Sequence, residues 1–218
     1  GTTLKLAPSG GKLEVRVKGP TIASGYHNDP AKTAAAFDEE GFYKLGDALR
    51  YAVPGKPSAG FIFDGRLAEN FKLSTGTWVA VGALRAALVN AMGGLISDAV
   101  IAGDARDDLR ALLVPNWTAL RAVAGMPEAT PAQTLAHPAV RTALAERLTA
   151  HAHAAAGSAS RVVAARVLEA PLSFDKGEVT DKGSVNQRAV LRERADLVAA
   201  LWSNDPAVIM AEPKGKWG

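Results

Sequence analysis

Cysteine is absent from the 218 residues. This excludes disulfides, thiolate nucleophiles and thiolate metal sites, and it fits a reducing compartment such as the cytoplasm. No apolar run approaches the ~18 residues of a membrane span, and the opening Gly1-Thr2-Thr3-Leu4-Lys5 lacks the pattern of a secretory leader. A cytoplasmic chain with no membrane span is therefore expected. Aromatic residues are scarce, at 6%, and the net charge is only +3. Without a basic stripe interleaved with aromatics, nucleic acid is not an expected partner. No G-x-x-x-x-G-K-[ST], G-x-G-x-x-G or G-x-S-x-G motif occurs. Of the four histidines, His151 and His153 lie two apart in an expected helix and so point to different faces. His27 and His137 read as loop residues, and Asp104, Asp107 and Asp108 as a solvated turn, so no metal site is expected.

What is present is a balanced globular composition, 48% hydrophobic and 22% charged, with room for one or two domains. Leu13, Val15 and Val17 alternate with charged residues, as in a half-buried strand. Asn28-Asp29-Pro30 opens a short alanine-rich helix ending near Phe37. Phe61-Ile62-Phe63 reads as a brief strand. This first third is a small β unit. Beyond Arg66 the pattern changes. Val81, Leu84, Leu88 and Met92 fall at helical spacing and predict a helix over roughly 79–92. Ala99–Ala102 and Ala111–Val114 predict a hairpin. Residues 115–138 read as loop or short helix. A second helix is expected from Pro138, a strand over Arg161–Leu168, and a last helix from Gln187 carrying Leu191, Ala195, Val198 and Trp202 on one face. The fold class expected is α+β: a small β-rich unit over residues 1–66, then a compact α+β domain over 67–218.

The candidate chemistry lies in turns where glycine sits beside a charged residue. Gly46-Asp47 reads as a carboxylate at a strand end, able to accept bonds from vicinal hydroxyls such as those of a ribose. Asp64-Gly65-Arg66 offers a guanidinium. Lys72–Val79 is a glycine-containing loop feeding a helix, and Asp175–Ser184 is a polar loop with two lysines and two glycines. Taken singly, each of these fits an ordinary surface turn.

Taken in order, they resemble the C-terminal third of the adenylate-forming superfamily of acyl-CoA synthetases, luciferases and peptide-synthetase adenylation domains. Gly11–Pro20 and Gly25–Pro30 resemble that family's "GE-x-x-x-(R/K)GP … GY-x-N/D-P" segment, with Thr33 and Phe37 at its next characteristic positions. Gly41–Asp47 resembles "G-(W/F)-(Y/F)-x-TGD", with Leu45 in place of the threonine. Asp64–Gly76 resembles the "DGR … K … G" hinge region. More narrowly, Phe63–Val79 and Gly177–Leu191 resemble the feruloyl-CoA synthetase branch, ligases of hydroxycinnamic and related aromatic acids.

The resemblance implies an ATP-dependent carboxylic acid:CoA ligase acting through acyl-AMP, for an aromatic or a fatty acid. Its partners would be the acid, ATP with Mg²⁺, and CoA. Residues 1–66 would close the large adenylation domain and 67–218 would form the mobile C-terminal domain. Asp47 would bind the ribose hydroxyls, with Arg66 assisting. Lys182, or alternatively Lys176 because the order here is Lys-Gly rather than Gly-Lys, would act in adenylation. Lys72 would act in thioester formation, Gly76 would line the pantetheine tunnel, and Ala68 would mark the hinge, where relatives carry Asp or Lys. The family's phosphate loop, adenine pocket and Mg²⁺ ligands have no counterpart in these residues. The chain thus reads as a fragment, inactive in adenylation without an upstream N-terminal domain. The alternative is a standalone non-catalytic interaction module that keeps this fold.

Overall fold

The computed structural model describes residues 1–9 and 11–213, apart from the side chain of Ala68, the residue expected at the hinge. The chain divides into two compact units, Gly1–Asn70 and Phe71–Gly218. The division falls four residues beyond the boundary read from the sequence. The 3₁₀ turn Leu67–Glu69 continues directly from the last strand of the first unit and packs against its third.

The first unit is an antiparallel sheet in the order β1 (Thr3–Ser9), β2 (Lys12–Lys18), β3 (Tyr43–Tyr51) and β4 (Phe61–Arg66). Helix α1 (Pro30–Ala36) starts where Asp29 accepts a bond from the Lys32 amide at 2.8 Å, with proline in the first turn. The alternation expected in β2 holds only in part. Val15 is buried, but so is Glu14, because Arg16 folds back onto its carboxylate at 2.7 Å.

With few buried apolar side chains, this unit relies on a charged network. Asp38 accepts from the Phe42 amide at 2.8 Å and from Arg16 Nη1 at 3.0 Å, and it also pairs with Lys5. The Phe42 amide above all, then the Arg16 and Lys5 cations, hold the Asp38 carboxyl at about 2 against an ordinary 3.8. Because the folded value is the lower one, this contribution is complete above the unfolded pKa and fades as pH falls from about 4 towards about 2. Acid unfolding followed by circular dichroism is expected to show that loss in the native chain. Asp38→Asn is expected to be less stable at pH 7 and to lack this increment of acid sensitivity. Identical acid transitions would contradict the assignment.

The second unit is built on a four-stranded sheet in the order β10-β9-β8-β7. Strands β7 (Ile96–Ala102) and β8 (Leu109–Pro115) form the expected hairpin; β9 (Val162–Val167) runs parallel to β8, and the short β10 (Ile209–Met210) runs antiparallel to β9. Both faces of the sheet are covered, which is why its strands read as continuous apolar runs. Ile101, Leu109 and Leu113 pack with Leu84 and Leu88 of α2 (Val81–Ala91) and Leu144 and Leu148 of α5 (Pro138–Ala154). Val100 and Leu112, one residue out of phase, pack with Leu168, Val190 and Leu201. Residues 115–138 hold two short helices, α3 (Trp117–Ala124) and α4 (Pro131–Ala136), the second with a Thr130/Gln133 capping box.

The last helix departs from expectation. It is two helices, α6 (Gln187–Glu193) and α7 (Ala195–Ala200), broken at Arg194. Its buried side chains are Gln187, Ala189, Val190 and Leu201, whereas Leu191, Val198 and Trp202 are half-buried and Ala195 is exposed. The phase is set by polar anchors that periodicity does not register. Gln187 accepts from the Ile101 amide at 3.0 Å and donates to the Ala99 carbonyl at 2.8 Å, satisfying the edge of β7, and Arg194 turns inward to a buried carboxylate.

Candidate functional site

In the first unit, the structure brings Asp47 and Arg66 together as direct cross-strand partners on β3 and β4. Arg66 Nε lies 3.9 Å from Asp47 Oδ1, with the side chains 64% and 39% exposed respectively. A pair this open contributes little to stability, so both groups stay available to a ligand. The strand does not end at Gly46-Asp47, contrary to the sequence reading. Gly46 has φ 73°, and the pairing shifts register between Asp47 and Leu49, so the strand bulges and continues to Tyr51. The result is a carboxylate and a guanidinium side by side, suited to a diol next to a phosphate.

In the second unit, Lys72 lies on the two-stranded ribbon of β5 (Phe71–Lys72) and β6 (Trp78–Val79), opposite Trp78. Its Nζ stands 4.9 Å from the indole centroid, a cation–π contact at an exposed site. The turn between the strands is tied down. The Ser74 amide donates to the Arg106 carbonyl at 2.8 Å, and the Ala105 amide donates to the Lys72 carbonyl at 2.8 Å. Gly76 closes this turn with φ 80°, its amide donating to the Leu73 carbonyl at 2.9 Å. A Cβ there would meet no atom within 4 Å, so the local demand for glycine is conformational.

Lys182 is exposed at the tip of a small hairpin. Val179 and Val185 form its bridge, the Gly183 amide donates to the Thr180 carbonyl at 2.8 Å, and the Thr180 and Ser184 hydroxyls bond at 2.7 Å. Lys176, also exposed, sits on the preceding turn, Ser173–Glu178. Between the two lysines lies a residue the sequence reading passed over. Glu178 is fully buried. Its Oε1 accepts from Arg194 Nε at 2.6 Å, and its Oε2 accepts from Arg194 Nη2 at 2.9 Å and from the Ser173 amide at 2.7 Å. The Arg194 guanidinium, more than the Ser173 amide, holds the carboxyl below its ordinary value against the opposing effect of burial. Trp78 was equally unforeseen. The available signals were a carboxylate flanked by two lysine turns and an aromatic six residues after Lys72, neither a motif by itself.

Three of the four histidines have structural surroundings, and His27 is exposed. His137 Nδ1 caps α5 by accepting from the Ala139 amide at 3.2 Å, His153 Nε2 lies 2.8 Å from the Glu212 carbonyl, and His151 is buried. Asp108 is less solvated than expected, since it pairs with Arg110 at 2.9 Å and accepts from Trp202 Nε1 at 2.9 Å. Among the described residues, no cluster of three or more His, Asp or Glu could hold a metal ion, and no helix is long and apolar enough to cross a membrane.

No family model matches the chain. It is, however, similar to a carboxylic acid reductase of Segniliparus rugosus, 29% identical over 192 residues, covering 87% of this chain and 15% of the reductase. A human long-chain-fatty-acid–CoA ligase 1 is 41% identical over 70 residues, 32% of this chain and 10% of the ligase. Among solved structures, the A domain of the S. rugosus carboxylic acid reductase, in complex with AMP and a co-purified carboxylic acid, superposes with a TM-score of 0.71 at 26% identity, over 93% of this chain and 31% of that one. The chain thus spans a sixth or less of these two curated relatives' length. In sequence and in fold, it corresponds to a portion of an adenylate-forming enzyme, of the kind found in carboxylic acid reductases and acyl ligases.

Proposed function

We propose that this chain is the nucleotide-closing and lysine-bearing portion of an enzyme that activates a carboxylic acid with ATP. The acid's oxygen attacks the α-phosphorus, the bond to pyrophosphate breaks, and acyl-AMP forms. A thiol sulfur then attacks the acyl carbon and AMP leaves. The observation that carries the reading is the cross-strand Asp47–Arg66 pair. Asp47 accepts from the ribose hydroxyls, and Arg66 faces the ribose or the adjoining phosphate. Lys182 places its ammonium where charge concentrates between the acid and the α-phosphate, with Lys176 the alternative, and Lys72 serves the thiol step. ATP arrives with Mg²⁺, whose ligands would come from an upstream part of the enzyme. Gly76 lies where a pantetheine arm would pass, and Ala68 is the pivot between the domains.

Two acceptors are distinguishable. The resemblance to feruloyl-CoA synthetases favours CoA and an aromatic acid. The similarity to carboxylic acid reductases over most of the chain, and to a structure of such a reductase's A-PCP didomain, favours a carrier-bound thiol. Incubating the protein as its cell produces it with ATP, ferulate or a fatty acid, and either CoA or a phosphopantetheinylated carrier domain separates them. Soluble acyl-CoA supports the first reading and acyl-carrier the second. AMP release without an acid would overturn both.

A further inference from the structure

Glu178 lies within the Asp175–Ser184 loop, where the resemblance gave it no role, yet its carboxylate is fully buried and accepts three hydrogen bonds. We infer that the Glu178–Arg194 pair is a positioning clamp that holds both lysine-bearing loops in working geometry. The carboxylate and backbone of Glu178 close each loop at its base. On one side, the Ser173 amide donates to Oε2 at 2.7 Å and the Glu178 amide donates back to the Ser173 carbonyl at 3.0 Å, cinching the turn that exposes Phe174 and Lys176. On the other side, the Glu178 carbonyl accepts from the Asn186 amide at 2.9 Å, at the base of the hairpin that exposes Lys182.

Arg194 makes the anchor rigid. Besides its two bonds to the carboxylate, its Nη2 donates to the Pro171 carbonyl at 2.8 Å. Three points of the chain, residues 171–173, the base of the hairpin and the α6–α7 junction, thus converge on one ion pair. The fork-to-fork geometry fixes orientation as well as distance. The junction itself is part of the device, since the break between α6 and α7 falls at Arg194, whose backbone leaves helical geometry at φ −112° and ψ 31°. A lysine that must meet a transition state needs its loop held to within a fraction of an ångström, and a 1 Å displacement can cost on the order of 10²-fold in rate. The clamp rests on the proposal that one of these loops delivers the adenylation lysine, but it does not depend on which.

The test compares Glu178→Gln with the double variant Glu178→Leu/Arg194→Met, in the protein as its cell produces it. Glu178→Gln strands the Arg194 charge and is expected to lower Tm by about 10 °C. The double variant replaces the pair with apolar groups of similar size and is expected to regain most of that Tm. In both, acid-dependent pyrophosphate exchange is expected to fall between about 10- and 100-fold. Thioester formation from preformed acyl-AMP should stay within about threefold of the native rate, the ordinary scatter of context-dependent effects. Amide hydrogen exchange at Ser173, Glu178 and Asn186 is expected to quicken while the β7–β8 amides stay protected.

A double variant that regains both Tm and exchange activity, or unchanged amide protection in the loops, would overturn the clamp. Equal loss of both half-reactions in a stably folded double variant would overturn it too. Failure of the underlying lysine reading looks different. In that case Lys182→Ala and Lys176→Ala leave pyrophosphate exchange intact, while the loop amides of the Glu178 variants still quicken.

Discussion

Replacing Lys182 with alanine is expected to slow acyl-adenylate formation roughly 10²–10³-fold, the range typical of removing one preorganised electrostatic contact to a developing charge. The geometry explains why the effect should be selective. Lys182 projects from the tip of a hairpin closed by the Val179–Val185 bridge and the Thr180–Ser184 hydroxyl contact, and no protein carboxylate pairs with it among the described residues. Such an ammonium costs little to expose and contributes most where negative charge gathers between two oxyanions. Removing it weakens transition-state binding in the first half-reaction and leaves the fold and the second half-reaction in place. The measurement is pyrophosphate exchange beside thioester formation from preformed adenylate. If Lys176→Ala produces the selective loss instead, the two lysines exchange roles. Equal loss of both half-reactions in Lys182→Ala rejects the role outright.

Asp47→Ala is expected to raise the apparent KM for ATP between about 10- and 100-fold, since hydrogen bonds to a charged group contribute roughly 1.5–3 kcal/mol. The side chain is more than one-third exposed and its contact with Arg66 is long, so the substitution should move Tm very little. That contrast separates a ligand-binding carboxylate from a structural one. Arg66→Lys keeps the charge and loses the planar fork, and it is expected to give a smaller change in KM than Asp47→Ala. Steady-state kinetics over a range of ATP concentrations, with thermal melts of the same samples, decide both. A variant with native KM and a depressed Tm would contradict the nucleotide role.

Much of the fold was legible because apolar periodicity carries it. The β7–β8 hairpin, the helices α2 and α5 and the strand β9 fell where the spacing placed them. What was missed was decided by polar contacts. Arg194, at the break of the terminal helix, is held by Glu178, and Gln187 anchors that helix by bonding the free edge of β7. Glu14 is buried where alternation would expose it because Arg16 covers it. The same holds for the candidate site. Asp47 and Arg66 are nineteen residues apart, and only the register of β3 with β4 makes them neighbours. Lys72 could be picked out from the resemblance, but its contact with Trp78 follows from ribbon pairing. Glu178 carried no signal of its own because a buried acid is recognised by its partner, and that partner lies sixteen residues further on.

The most direct measurement is acid-dependent exchange of labelled pyrophosphate into ATP, made on the protein as its cell produces it, with ferulate and long-chain fatty acids as the acids offered. Exchange that requires one of these acids, and that collapses in both Asp47→Ala and Lys182→Ala, is the expected result. Exchange with no acid present, no exchange with any acid offered, or exchange indifferent to both substitutions would contradict the assignment of this chain to acid activation.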